Sequence, residues 1–268
     1  MRTGGVARRA TFIDQVRGED THVLLVDAGN AIWSDRPYTV ASDLRLSIEM
    51  LNALGYDAVA LGNRDLQLGA DLLLRRLEEA NFLALSANVV LSDTGELLTA
   101  PFSVHVMDGH RIAILGLTGQ PAPWEASPGL RVLDPLQAAG DHVPYLATAG
   151  DVLMVLSNAG PVVDAQLEVE FPQIDLIVAA GQAGTTGRPL LVDELPPILQ
   201  AERSSPGHAG RYVGQAHLTF DAVGELQDLS WQFVALGPEW GDDPGMKALV
   251  ARYATEPTRP AIAPLTGQ

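Results

Sequence analysis

Asp27, Asn30, Asn63, Arg64, Asp65, Asn158, Gln182 and Gly184 each follow a short apolar run. Loops at the ends of buried strands are where an α/β sheet places its binding groups. The chemistry these side chains offer is mostly neutral and polar. Asn30, Asn158 and Gln182 read as loop-capping amides, since such residues tolerate turns and bond the backbone. Arg64 brings a permanent cation, which needs either an acid, with Asp65 adjacent in sequence, or a bound anion. The six histidines are His22, His105, His110, His142, His208 and His217. None forms a close His-x-His or His-x-x-x-His pair, so they read as surface or strand residues rather than metal ligands. Only His208, in the loop Ser204-Ser205-Pro206-Gly207-His208, is placed to approach the other loops. Ser204 and Ser205 suggest no Ser-His-Asp constellation. Gly181-Gln182-Ala183-Gly184 is too short for a phosphate fingerprint and lacks the lysine of a P-loop.

Composition narrows the classes further. The chain has 268 residues, 17 Lys and Arg against 33 Asp and Glu, and a formal net charge of −16. That balance argues against a nucleic-acid partner and against an anionic membrane surface, both of which need clustered positive charge. The acidic excess reads as a solvated surface. There is no cysteine, which excludes disulfides, thiolate metal sites and cysteine nucleophiles but leaves the redox compartment open. No apolar run reaches the ~18 residues of a membrane span, and the first residues lack the apolar stretch of a signal peptide. The compartment is left open.

The elements that position these loops alternate along the chain. Runs at 23–26, 58–61, 82–85, 112–117, 152–156 and 176–180 read as buried strands. Stretches at 6–17, 40–54, 70–79, 135–148 and 162–170 carry apolar residues near the helical period. Asp71 and Asp134 stand at helix starts, and Gly55 where a helix C-cap glycine belongs. After about residue 190 the pattern changes: 212–221 and 225–235 alternate around Gly224 as a hairpin, and 246–253 is a closing helix. This gives one α/β domain over residues 1–254. A proline-containing tail follows at 255–268.

Five blocks, in order, resemble the 5′-nucleotidase-type metallophosphatases of the calcineurin-like phosphoesterase superfamily. Gly4-Gly5-Val6-Ala7-Arg8-Arg9-Ala10-Thr11-Phe12-Ile13 is similar to that family's first helix. Val26-Asp27-Ala28-Gly29-Asn30 resembles its Asp-x-Gly-Asp loop. Leu61-Gly62-Asn63-Arg64-Asp65, with the strand before it, is similar to the Gly-Asn-His-Glu/Asp block. Leu156-Ser157-Asn158-Ala159-Gly160 resembles Leu-Ser-His-x-Gly, and Ala180-Gly181-Gln182-Ala183-Gly184 falls where Gly-His-x-His belongs. The hairpin, with Trp231-Gln232-Phe233-Val234, also looks like the end of that domain.

The resemblance implies a four-layer α/β/β/α sandwich with two mixed sheets, and an ancestral hydrolysis of nucleotides or related phosphate esters using two divalent metal ions. It also implies a changed ligand set. Asn30 stands for the bridging Asp, Asn63 is retained, and Asn158, Gln182 and Gly184 stand for His. Arg64 replaces the His that faces the leaving group. The family's first Asp-x-His strand and its C-terminal substrate-binding domain are expected to be absent from this chain. Neutral amides are poor substitutes for carboxylate and imidazole around a transition metal. We therefore expect no catalytic residue, no bound metal and no cofactor. The expected site is a vestigial pocket of Asp27, Asn30, Asn63, Arg64, Asp65, Asn158, Gln182 and Gly184, with Arg64 available to a small anion. The expected role is a catalytically degenerate homologue retained as a binding or assembly domain with a protein partner. The alternative is an active phosphoesterase with a reduced or relocated metal site using Asp27, Asp65 and His208. A third reading takes the chain as a piece of a longer protein whose upstream strand carries Asp-x-His.

Overall fold

The computed structural model describes residues 4–36, 39–40, 42–122, 127–180, 195–200 and 210–255. Helix α1 (Val6–Glu19) leads into the short strand β1 (Val26–Asp27). Helix α2 (Arg45–Leu54) and strand β2 (Ala58–Ala60) follow, then a 3-10 turn (Asp65–Leu68), α3 (Gly69–Leu77) and β3 (Leu83–Leu85). The helix expected to begin near residue 40 starts at Arg45, because Leu44 takes a left-handed φ of 64° and breaks the helical path. Gly55 closes α2 at φ 68°, a left-handed C-cap that glycine adopts without a Cβ clash.

Next come β4 (Val89–Leu91), β5 (Phe102–Met107), β6 (His110–Leu117) and β7 (Leu130–Val132). Helix α4 (Pro135–Ala149) is capped by Asp134, whose side chain accepts from the Gln137 N–H. Strand β8 (Val152–Ser157), α5 (Pro161–Glu170), β9 (Leu176–Ala179) and β10 (Ile198–Gln200) complete the alternating part. The hairpin β11 (Tyr212–Phe220) and β12 (Leu226–Ala235) precedes α6 (Pro244–Thr255).

Strands β1, β2 and β3 form one parallel sheet. A five-stranded mixed sheet runs in the order β10, β9, β8, β6, β5, with only β5 antiparallel. Strands β11–β12 and β4–β7 make two antiparallel ribbons. Three apolar cores define the layers. Phe12, Ile48, Leu73 and Met246 pack helices on the outer face of the parallel sheet. Ala58, Ala60 and Leu85 meet Ile114, Met154 and Leu156 between the two sheets. Ala139, Val143, Leu146 and Leu167 cover the far face of the larger sheet. The result is helix, sheet, sheet, helix, each layer contributing a face to a shared core. Among the described residues no helix is long and apolar enough to cross a membrane.

Candidate functional site

The loops that follow β1, β2, β6 and β8 converge at one end of the two sheets, the C-terminal ends of parallel strands. Their contact is backbone-tight. A Cβ on Gly62 would lie 2.2 Å from Asn30 Oδ1 and 2.3 Å from Asn30 N. A Cβ on Gly29 would lie 2.9 Å from Gly62 Cα and 3.0 Å from Asn158 Nδ2. Glycine is required at both points because the loops approach closer than any side chain allows.

Asp65 is the hub, with no solvent exposure at all. Its carboxylate accepts the backbone N–H groups of Gly62 (2.9 Å), Asn30 (2.9 Å), Ile32 (3.1 Å) and Trp33 (2.8 Å). Burial still outweighs those donors and pushes its pKa up to about 6. Asn30 sits at φ 63°, a left-handed conformation that asparagine tolerates, and its Oδ1 accepts the Arg64 N–H at 2.8 Å. Asn158 Oδ1 accepts the Asn63 N–H at 3.0 Å. Asp27 accepts from the Gly29 N–H at 2.9 Å. Desolvation raises its pKa, partly offset by that bond and by the charge of Arg9.

Sequence reasoning offered Arg64 either an acid, Asp65 or another, or a bound anion, and Asp65 is not that acid. Asp65 is taken up by backbone amides, and the Arg64 guanidinium lies over the Trp33 ring, 4.9 Å from its centroid. Among the described residues no carboxylate forms an ion pair with Arg64. Asp27, Asn30, Asn63, Arg64, Asp65 and Asn158 are thus brought together, whereas Gln182, Gly184, Ser204, Ser205 and His208 lie outside the described residues, as does the tail from residue 256.

A second polar layer beneath these loops was not anticipated. Asn88 Nδ2 donates to Thr118 O (2.7 Å) and Leu133 O (3.0 Å), while its Oδ1 accepts the Thr118 N–H (2.8 Å). Thr118 Oγ1 shares a 2.7 Å bond with Ser86 Oγ and donates to Leu61 O at 2.8 Å. Ser157 Oγ donates to the buried Asp164 carboxylate and accepts from the Ala159 N–H at 3.1 Å. Burial, with the neighbouring charge of Glu168, pushes the Asp164 pKa up to about 7. The only sequence signal for this layer was a set of small polar residues directly after buried strands.

Two divalent metal ions, implied by the resemblance, need carboxylate and imidazole ligands to offset their mutual repulsion. The described residues do not fit them. Asn30 and Asn158 present neutral oxygens already engaged with backbone donors. Among the described residues no group of three or more His, Asp or Glu side chains converges as a metal site.

The four-layer fold is shared with solved structures that include a calcineurin-like phosphoesterase. The Bacillus subtilis calcineurin-like phosphoesterase YfkN superposes with a TM-score of 0.73 at 19% identity, covering 95% of this chain and 89% of that one. A 5′-nucleotidase precursor from Thermus thermophilus superposes with a TM-score of 0.80 at 29% identity, over 94% of this chain and 53% of its own. Bovine 5′-nucleotidase is 30% identical over 271 residues, which is 93% of this chain and 47% of the relative. The chain is a homologue of the 5′-nucleotidases, and it spans about half the length of the curated relatives it matches. No family model matches it.

Proposed function

We propose that the chain is a catalytically degenerate homologue of the 5′-nucleotidases, acting as a binding or assembly domain with a protein partner. The observation that carries this reading is the state of the two described amide oxygens at ligand positions. Asn30 Oδ1 and Asn158 Oδ1 each hold a backbone N–H of the Gly62–Asp65 loop, at 2.8 and 3.0 Å. They act as loop caps and carry no charge to offer a dication. Arg64 supports the same reading, because it adds a fixed cation beside these loops while resting on Trp33. The substitutions keep polarity, so the cleft stays wet and suited to a small anion. The net charge of −16 speaks against nucleic acid and anionic membranes as partners.

Metal content and turnover test this directly. Protein purified with manganese and zinc in the buffer is expected to retain under ~0.2 equivalents of either, and to release no phosphate from p-nitrophenyl phosphate. Two equivalents of metal with turnover overturn the reading. They would return the alternative of a relocated site built on Asp27, Asp65 and His208.

A further inference from the structure

Helix α5 turns two carboxylates into the interior. Asp164 and Glu168 stand four residues apart on it and so share one face. They are 1% and 6% exposed, a degree of burial that acidic side chains rarely reach without a partner. Asp164 has one, since it accepts from Ser157 Oγ. Glu168 has none: its Oε1 is buried without a hydrogen bond. Among the described residues no ion pair reaches either group. The neighbouring elements supply no counter-charge. Helix α5 packs on α4 and β9. Around α4, Asp134, Asp141 and Tyr145 are exposed, and the His142 ring lies against Phe102 of β5. Strands β8, β9 and β10 carry no titratable side chain. Asp175, just before β9, accepts the Leu153 N–H, and Glu170 at the end of α5 is exposed.

Two buried like charges on one helix face, with no cation beside them, favour keeping a proton on the pair. Burial raises the pKa of both groups, and the charge of Glu168 adds to the rise at Asp164. What the pair holds in place is the loop from Ser157 to Gly160. Ser157 Oγ, bonded to Asp164, also accepts the Ala159 N–H at 3.1 Å. Between them stands Asn158, whose Oδ1 accepts the Asn63 N–H at 3.0 Å. Gly160 then joins this loop to α5 at φ 100°, a backbone conformation that glycine alone adopts freely. The seat of the first turn of α5 therefore fixes the Asn158 cap.

We propose that Asp164 and Glu168 form a proton-operated latch on the Asn158 loop. With a proton held by the pair, α5 stays seated and Asn158 caps Asn63. With both carboxylates ionised, their repulsion and their need for water push the first turn of α5 outward about Gly160. Ser157 then loses Asp164, and the Asn158 cap opens. The direction follows from linkage. A carboxyl pair whose pKa is raised in the closed state keeps a proton that the open, solvated pair releases. Closure is thus fully favoured below pH ~4, weakens as pH rises, and changes no further once pH passes the closed-state value, about 7 for Asp164. The latch sets the loop whatever the loop binds, so it stands or falls separately from the degenerate-homologue reading.

The test is an NMR titration of the full chain from pH ~5 to ~8, across the window that the raised carboxyl pKa values open. The amide signals of Ala159 and Asn63 are expected to shift together with one midpoint. Over the same range the hydrogen-exchange protection of the Asn63 N–H is expected to fall by about tenfold more than that of Val155 within β8, the change that one proton's linkage gives over a single pH unit. Asp65 also titrates, near pH 6, and holds the Gly62 N–H of the same loop. The Glu168→Gln variant separates the two, because it keeps the shape, removes the second charge and leaves Asp65 untouched. It is expected to hold the Asn63 signal near its acid position up to pH ~8, as is Glu168→Leu, which has no charge to bury. A response of Asn63 in both variants equal to that of the wild type overturns the proposal. So does a wild type in which the Glu168 carboxyl signal titrates while Ala159 and Asn63 stay still, since Glu168 then swings into water without moving the loop.

Discussion

The side chain of Asn158 reaches across 95 residues of sequence to accept the backbone N–H of Asn63 at 3.0 Å. That single bond ties the loop after β8 to the loop after β2, and so couples the two sheets where their strand ends meet. Asn158 is nearly buried, with 7% exposure, so water does not readily replace the lost acceptor. Replacing Asn158→Ala is expected to cost about 2 kcal/mol, the usual penalty for leaving a buried donor unsatisfied. Urea unfolding followed by circular dichroism checks this. A change below about 0.5 kcal/mol would mean that the two loops are held by packing alone.

Gly62 is constrained more severely than Asn158. Its α-carbon faces the Asn30 amide so closely that a methyl group would sit 2.2 Å from Oδ1 and 2.3 Å from the backbone nitrogen. The nitrogen belongs to a loop already fixed by Asp65, so the clash is not relieved by rotating a flexible side chain. Gly62→Ala is expected to destabilise the protein by about 1–3 kcal/mol through overpacking, whereas Gly95→Ala meets nothing within 4 Å and serves as a comparison dominated by its positive φ. Melting temperatures of the two variants give the measurement. A Gly62→Ala protein as stable as wild type would show that the loops stand further apart than described.

Titration of the buried carboxylates gives stability a defined pH slope. Asp164 has its pKa raised from 3.8 to about 7 in the folded chain, first by burial, against the opposing bond from Ser157. A raised acid pKa means that the folded state holds the proton while the unfolded state has released it. The associated stability is fully present below pH ~4, falls as pH rises, and is gone above pH ~7. Asp65, raised to about 6, acts in the same direction. The exposed Asp151, lowered to about 2 by Arg111, acts in the opposite direction only below pH ~4. Stability is therefore expected to decline between pH 4.5 and 7.5, with a contribution of the order of 3 kcal/mol from Asp164. Asp164→Asn removes the part of the slope above pH ~6. Urea midpoints measured across that range decide the matter, and a variant with the wild-type slope would rule Asp164 out as its source.

The strands and helices that carry the loops were legible because each buries a face. The expected run at 152–156 became β8, buried at every position, and the expected helix at 135–148 became α4 with its Asp134 cap. Strands β4, β7 and β10, three residues each, were not legible, whereas β2 and β3, equally short, were read from longer apolar runs that contain them. The resemblance placed Asn30, Asn63 and Asn158 at converging loop ends, and they do converge. What a linear sequence does not show is which partner an ion selects. Asp65 stands next to Arg64, yet four backbone amides from two loops claim its oxygens.

Arg64 provides the last prediction, because no carboxylate among the described residues pairs with its charge. The guanidinium rests on Trp33 at 4.9 Å, a contact worth about 0.5–1 kcal/mol at a partly exposed site, and stacking leaves the edge N–H donors of the fork free to bind oxyanions. Phosphate or sulfate at millimolar concentration is therefore expected to raise the melting temperature of the wild type and to change Trp33 fluorescence. For a millimolar dissociation constant, ten times that concentration stabilises by ~1.4 kcal/mol, roughly a 2–4 °C shift for a protein of this size. Arg64→Ala should abolish both responses, while Arg64→Lys should keep part of the thermal shift, because an ammonium retains the charge but not the planar fork. Equal shifts in wild type and Arg64→Ala would mean that the salts act by exclusion from the protein surface. In that case the arginine is a stacking partner for Trp33, and the loop ends hold no anion.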